Sequence, residues 1–259
     1  MLDRVDLEAL FADAVRGAEC SRYPRVASVS VDVECKDPVA TVFASRRVGE
    51  SWFCWQQPDR DFALAALGQV HSVISHGRDR FRTVAEECAH LSGEAVLCGS
   101  AGPNDRMGPL WTGGFAFSEE GASRSDWSSF EPAAMSLPEL SLERQGGRTV
   151  MTVNALLGAG RDAGQATQRI MSRVNGLVDH GIGMIDPHPA QRPSIESVKT
   201  PEEFERSVAA AVSRIRAGEI EKVVLAREVV VRSELAHDPS AIFSALREGF
   251  PSCFNFCVG

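Results

Sequence analysis

Lysine is scarce in this sequence. Of its 27 basic residues only Lys36, Lys199 and Lys222 are lysines. Lys36 sits in Cys-Lys-Asp-Pro and Lys199 just before a helix start, both natural surface positions. Lys222 instead enters Glu-Lys-Val-Val-Leu-Ala-Arg, on the same strand face as Val224 and Ala226. Two readings are open. A lysine at a strand end can run its stem along apolar surface and reach water. A partly desolvated amine, by contrast, loses its preference for the charged form and can serve as a base near neutral pH. On spacing alone the first reading weighs more. Arg227 cannot be a base, because a guanidinium stays protonated, and suits a structural ion pair.

Other groupings carry less chemistry. Leu156-Leu-Gly-Ala-Gly-Arg-Asp-Ala-Gly164 has the flavour of a dinucleotide loop, where glycines let backbone amides approach a pyrophosphate. Its third glycine is at 164 rather than 163, and no acidic strand end follows at the required distance, so it is read as a loop and helix cap. The 7 cysteines form no CxxC pair and are read as reduced thiols. His71 and His76 are five apart, which does not match a helical zinc pair. A net charge of -8 argues against a nucleic-acid partner. The N-terminus is not a signal peptide, and no stretch approaches the roughly 20 apolar residues of a membrane span. A cytoplasmic location is expected, without membrane association.

The elements that must position Lys222 follow from periodicity and punctuation. Short β-type runs occupy the first part: 26–33, 39–45, 51–55 and 110–117, with 61–67 opening another apolar segment. Residues 79–91 and 165–178 have helical spacing. Gln145-Gly-Gly147 between two strand-like runs signals a hairpin. Three prolines within Asp186–Ser194 mark a boundary, which divides the chain into 1–190 and 195–259. Beyond it, Thr200-Pro-Glu-Glu203 is a capping box that starts a helix ended by Gly218. A strand over Ile220–Val231, apolar on both faces, is expected to be central and covered on both sides. Asp238-Pro-Ser opens a second helix with Ile242 and Leu246 inward, and Cys253–Val258 begins another strand. Domains rarely stop inside a fresh apolar strand, so a C-terminally truncated chain is expected.

These pieces resemble a known family. Thr-Pro-Glu-Glu-Phe-Glu, then Ile-Arg-Ala-Gly-Glu-Ile-Glu-Lys-Val-Val-Leu-Ala-Arg, then Cys-Phe-Asn-Phe are similar to the opening of the chorismate-binding domain. Upstream, Trp52–Pro58, Gly113–Phe117, Trp127–Phe130 and Leu137–Leu140 resemble the N-terminal part of isochorismate synthases. The resemblance implies an α+β chorismate-utilising fold, with stacked antiparallel sheets and helices outside, here incomplete. It implies chorismate as substrate and isomerisation to isochorismate by water addition at C2 and loss of the C4 hydroxyl. It gives Lys222 the role of base, since ammonia-using relatives usually carry glutamine at that place. It implies Mg²⁺, whose ligands, like the acid glutamate, would lie beyond residue 259. Glu219, Glu221 and Glu228 do not match those motifs and are not assigned to those roles. The chain as given is therefore expected to be inactive. Menaquinone or siderophore synthesis is the implied pathway. Salicylate synthase, which shares the lysine, is the near alternative, and a non-catalytic fragment is the alternative of another class.

Overall fold

The computed structural model describes residues 2–99, 107–118, 127–178, 181, 193–233 and 236–259. They fall into two compact units. One comprises Met1–Met184 with Pro239–Gly259, and the other Ile185–Asp238. Most of the proline-rich boundary segment lies outside the described residues.

The first unit is built on a large sheet. Its strands are β1 (Arg25–Val33), β2 (Trp52–Gln57), β3 (Phe62–Leu67), β5 (Val96–Gly99), β8 (Leu140–Gln145), β9 (Arg148–Leu157) and β12 (Asn255–Val258). Their spatial order is β12-β2-β3-β8-β9-β1-β5. All neighbours pair antiparallel except β1 with β5, which are parallel. A smaller antiparallel sheet holds β4 (His71–Ile74), β7 (Ala133–Leu137) and β6 (Thr112–Phe115) in that order. The helices are α1 (Arg4–Ser21), α2 (Pro38–Ser45), α3 (Arg80–Gly93), α4 (Ala163–Asn175) and α6 (Pro239–Gly249). This is the expected α+β class.

Register explains where the core lies. Side chains directly opposite each other in a ladder share a face. Val29 pairs with Val153, Val153 with Leu140, Leu140 with Leu67, and Ala65 with Cys54, which in turn pairs with Cys257. One apolar face thus crosses the sheet. Leu7, Leu10, Phe11 and Ala14 of α1, with Ile170 of α4, bury against its β1–β9–β8 end. Val39, Val42 and Phe43 of α2, with Phe243 of α6, bury against its β3–β2 end. On the opposite face β1 and β9 are polar but paired. The Ser28 hydroxyl donates to Asn154 Oδ1 at 2.7 Å, Asn154 Nδ2 donates to the Pro138 carbonyl at 2.9 Å, and the Ser30 and Thr152 hydroxyls bond at 2.9 Å. Buried polar groups matched in this way avoid the roughly 1–3 kcal/mol cost of an orphaned partner.

Three expectations need correction. Residues 39–45 form a helix, not a strand: Asp37 caps it by accepting from the Ala40 amide at 3.0 Å, and Pro38 pre-sets the first turn. In α6 the buried positions are Ser240, Ala241, Phe243 and Ser244, whereas Ile242 and Leu246 are exposed. The phase is set by Phe243, whose ring lies 5.9 Å from that of Phe43, and by Arg247, which donates to Asp37 Oδ2 at 2.6 Å. The third concerns Ile220–Val231 and is taken up with the second unit. The hairpin at Gln145-Gly-Gly147 is present, with φ of 58° at Gly146 and 83° at Gly147, the left-handed pair that a tight turn between twisted strands requires. Helix α1 had its own signals, an Asp3 cap and apolar residues at helical spacing.

The C-terminal arm buries Phe243, which is 1% exposed. Phe243→Ala should cost about 3–5 kcal/mol and leave residues 239–259 open to protease. Urea unfolding and limited proteolysis measure both. At the β8–β9 turn, Asp61 accepts from Arg144 Nε at 2.8 Å and from the Gly147 amide. Its carboxyl is held below the ordinary range by Arg144 first, against the opposing effect of burial, with the Gly147 amide also lowering it. A depressed folded pKa means the contact is present above the usual Asp value near 3.9 and lost as pH falls through the lower folded value. NMR should show the Gly147 amide resonance titrating below pH ~3.9, and Asp61→Asn should abolish that titration.

Candidate functional site

The residue singled out by its chemistry, Lys222, lies in the second unit. Helix α5 (Pro201–Arg216) begins there with the expected capping box. The Glu203 amide donates to the Thr200 hydroxyl at 3.3 Å, and the Thr200 amide donates to the Glu203 carboxylate at 2.9 Å. Gly218, at φ 75°, turns the chain after the helix. The Glu219 carboxylate then binds Arg214 Nε at 2.8 Å.

Beyond that turn the chain departs from the expected central strand. Only Val229–Arg232 is a strand, β11, and it pairs with β10 (Ser194–Ser197) as a two-stranded ribbon. Residues 222–227 have no ladder partner among the described residues, and Lys222, Val223, Val224 and Leu225 are exposed. The physical reason is the lack of neighbours. A strand apolar on both faces needs a ladder on each edge and a layer over each face. Within this unit the four residues of β10 offer one short edge, and α5 buries no residue of its own. Lys222 is therefore solvent-facing in this unit, as is Lys199, and Lys36 is exposed in the first unit. Glu221, Arg227 and Glu228 are likewise exposed.

No three His, Cys, Asp or Glu side chains converge among the described residues in a way that could hold a metal ion. No described helix is long and apolar enough to cross a membrane. The described cysteines are free thiols.

The other pieces that carried the resemblance are organised by the first unit. Trp52–Gln57 forms β2, and Asn255–Val258, from the Cys-Phe-Asn-Phe piece, runs beside it as β12. Gly113–Phe115 lies in β6. There a Cβ on Gly113 would meet the Ala134 carbonyl at 2.1 Å, so only glycine admits this close approach. Leu137–Leu140 joins β7 to β8 and supplies the Pro138 carbonyl that Asn154 holds. A small cleft of about 140 Å³, lined by Trp52, Phe53, Gly68, Thr112 and Ser136 among others, opens where these strands meet. Sequence reasoning did not single it out. Its lining includes hydroxyls but no acidic or basic side chain.

Residues 12–259 match the family described as "Chorismate binding enzyme". The chain belongs to the chorismate-binding enzyme family. Among curated relatives, it is 25% identical over 260 residues to "Salicylate biosynthesis isochorismate synthase" of Pseudomonas aeruginosa, across 96% of this chain and 52% of that protein. It is 24% identical over 218 residues to "Isochorismate synthase MenF" of Bacillus subtilis, across 79% of this chain and 44% of that protein. The solved structure of MenF, the menaquinone-specific isochorismate synthase from Escherichia coli, superposes with a TM-score of 0.58 at 17% identity. That match covers 96% of this chain and 52% of the other, and at such identity it is a likeness of fold. The chain spans about half the length of the relatives it matches.

Exposure of Lys222 has a direct check. Amine acetylation of this chain followed by mass spectrometry should modify Lys222 as readily as Lys36 and Lys199. A lysine shielded by a covering layer would lag behind both.

Proposed function

We propose that this chain is part of an isochorismate synthase in which Lys222 is the general base. One observation carries the reading. A family match over residues 12–259 includes Lys222, within Glu-Lys-Val-Val-Leu-Ala-Arg, where the resemblance puts the base of the water-using members. The names of the two curated relatives point the same way.

The chemistry is an isomerisation that exchanges one hydroxyl position for another. A neutral Lys222 amine takes a proton from water as the oxygen attacks C2 of chorismate. The ring double bonds shift, and the C4 hydroxyl departs with a proton delivered by a general acid. Water is gained and lost, so the product is an isomer of the substrate. Water is a weak nucleophile until a base takes its proton, whereas neutral ammonia attacks without deprotonation, which is why lysine and not glutamine suits this position. Glu219, Glu221 and Glu228 are not proposed as the acid. Mg²⁺, which would neutralise the substrate carboxylate when bound, is proposed with ligands other than the described carboxylates. None of the steps above runs through it.

Because the chain spans about half the length of its relatives, the decisive assay uses a polypeptide that continues this sequence to their length. Lys222→Gln there keeps approximate size and hydrogen bonding but cannot accept the proton. The kcat for isochorismate should fall by roughly 10²–10⁴-fold, the usual worth of general-base catalysis, with little change in chorismate affinity. The rise of kcat with pH should disappear in the variant. Near-normal turnover with an unchanged pH profile would sink the assignment. Release of pyruvate with salicylate would instead identify a salicylate synthase.

A further inference from the structure

Cys54 and Cys257 are direct partners in the β2–β12 ladder. Cys54 is fully buried among Val39, Val42, Phe43 and Phe243, and Cys257 is half-buried against the same cluster. Being opposite each other, they project from the same face. Both are free thiols. We infer that this pair is a reversible redox staple, closing to a cross-strand disulfide that fastens the C-terminal arm to the sheet.

The ladder fixes the spacing. Trp52 and Gly259 exchange both backbone hydrogen bonds, at 2.8 and 3.1 Å. Hydrogen-bonded and non-hydrogen-bonded pairs alternate, so Cys54–Cys257, two residues along each strand, is again a hydrogen-bonded pair. Such pairs have Cα atoms about 5.5 Å apart, within the roughly 4.4–6.8 Å that a disulfide tolerates. Their Cβ atoms stand up to about 5.5 Å apart, about 1 Å or more wider than the 3.5–4.5 Å of a relaxed disulfide. Closure must therefore draw the strands together. Among the described residues β12 is the edge strand of the sheet, and none of them lies beyond it in the ladder to resist that shift. A bond formed under such strain is easily reduced, which makes it a switch and not a permanent brace.

The oxidant is a small-molecule disulfide of the glutathione type. Cys257, the less buried thiol, attacks one of its sulfurs as the thiolate, forming a mixed disulfide and releasing one thiolate. Cys54, deprotonated in turn, displaces the second thiolate and closes the protein bond. Two electrons pass from the cysteine pair to the reagent, and the two thiol protons end on the two released thiols. Burial holds both cysteine thiols above their usual range, so exchange is slow at neutral pH and quickens as pH rises. When closed, the bond locks β12 onto β2, and with it the arm from Pro239 onward.

The test uses the purified chain carrying Cys253→Ser, so that the C-terminal tryptic peptide holds a single thiol. After incubation with oxidised glutathione at pH 8, non-reducing mass spectrometry should find Val48–Arg60 joined to Glu248–Gly259. Dithiothreitol should separate them. Proteolysis of the arm should slow several-fold in the oxidised protein and return to its original rate on reduction. With Cys54→Ala added, Cys257 should stop at the glutathione mixed disulfide. If Cys54 and Cys257 both remain open to alkylation, or if Cys257 keeps its glutathione while Cys54 is free, the inference is overturned. Pairing of Cys257 with exposed Cys20 or Cys98 would overturn it equally.

Discussion

Strand register is the constraint on which the first unit depends. Since side chains alternate across a sheet, sliding any one strand by a residue would send its whole apolar set to the wrong face. Here the apolar face is continuous from Val29 through Val153, Leu140 and Leu67 toward Cys54, and four helices of the first unit pack on it. The reverse face guards the alignment. A slip between β1 and β9 would break Ser28 from Asn154 and Ser30 from Thr152, leaving buried polar groups without partners. Each such orphan costs about 1–3 kcal/mol, so the polar ladder penalises the wrong registers that apolar packing alone would only disfavour. A clamp on the same helical side does similar work between elements. Arg173 of α4, 3% exposed, donates to the Ser45 carbonyl and to both oxygens of Glu50.

How much of this could be read from the residues depended on how local the cause was. The α5 capping box, the Gly146-Gly147 hairpin and the Gly218 turn are set by neighbours in sequence and came out as expected. Residues 39–45 did not, because a β-branched run suggests a strand while the cap at Asp37 and burial on β2 and β3 decide for helix. The inward face of α6 was missed for a related reason. Its phase follows from Phe43 and Asp37, some 200 residues away in sequence, and no pattern within the helix reveals them. The strands of the small sheet, β4 and β7, are short and weakly patterned, and only pairing defines them, β7 lying between β4 and β6.

Lys222 marks a different limit. Its candidacy rests on the rarity of lysine, on the run around it and on the family to which the chain belongs. The covering layers that would desolvate it are long-range features, and the second unit by itself does not contain them. A base and the environment that makes it basic are thus separable properties. The first is written in a few adjacent residues, while the second is assembled from distant ones.

The pairing of β12 with β2 also has a temporal side. Gln57 and Ser252, which bond across this junction, stand 195 residues apart in the chain. At synthesis rates of roughly 5–20 residues per second, β2 emerges about 10–40 s before the strand that completes its edge. Throughout that interval Trp52–Gln57, an apolar and aromatic run, presents unpaired backbone groups to the cell. An open edge of this kind is a template for other chains until β12 arrives to cover it.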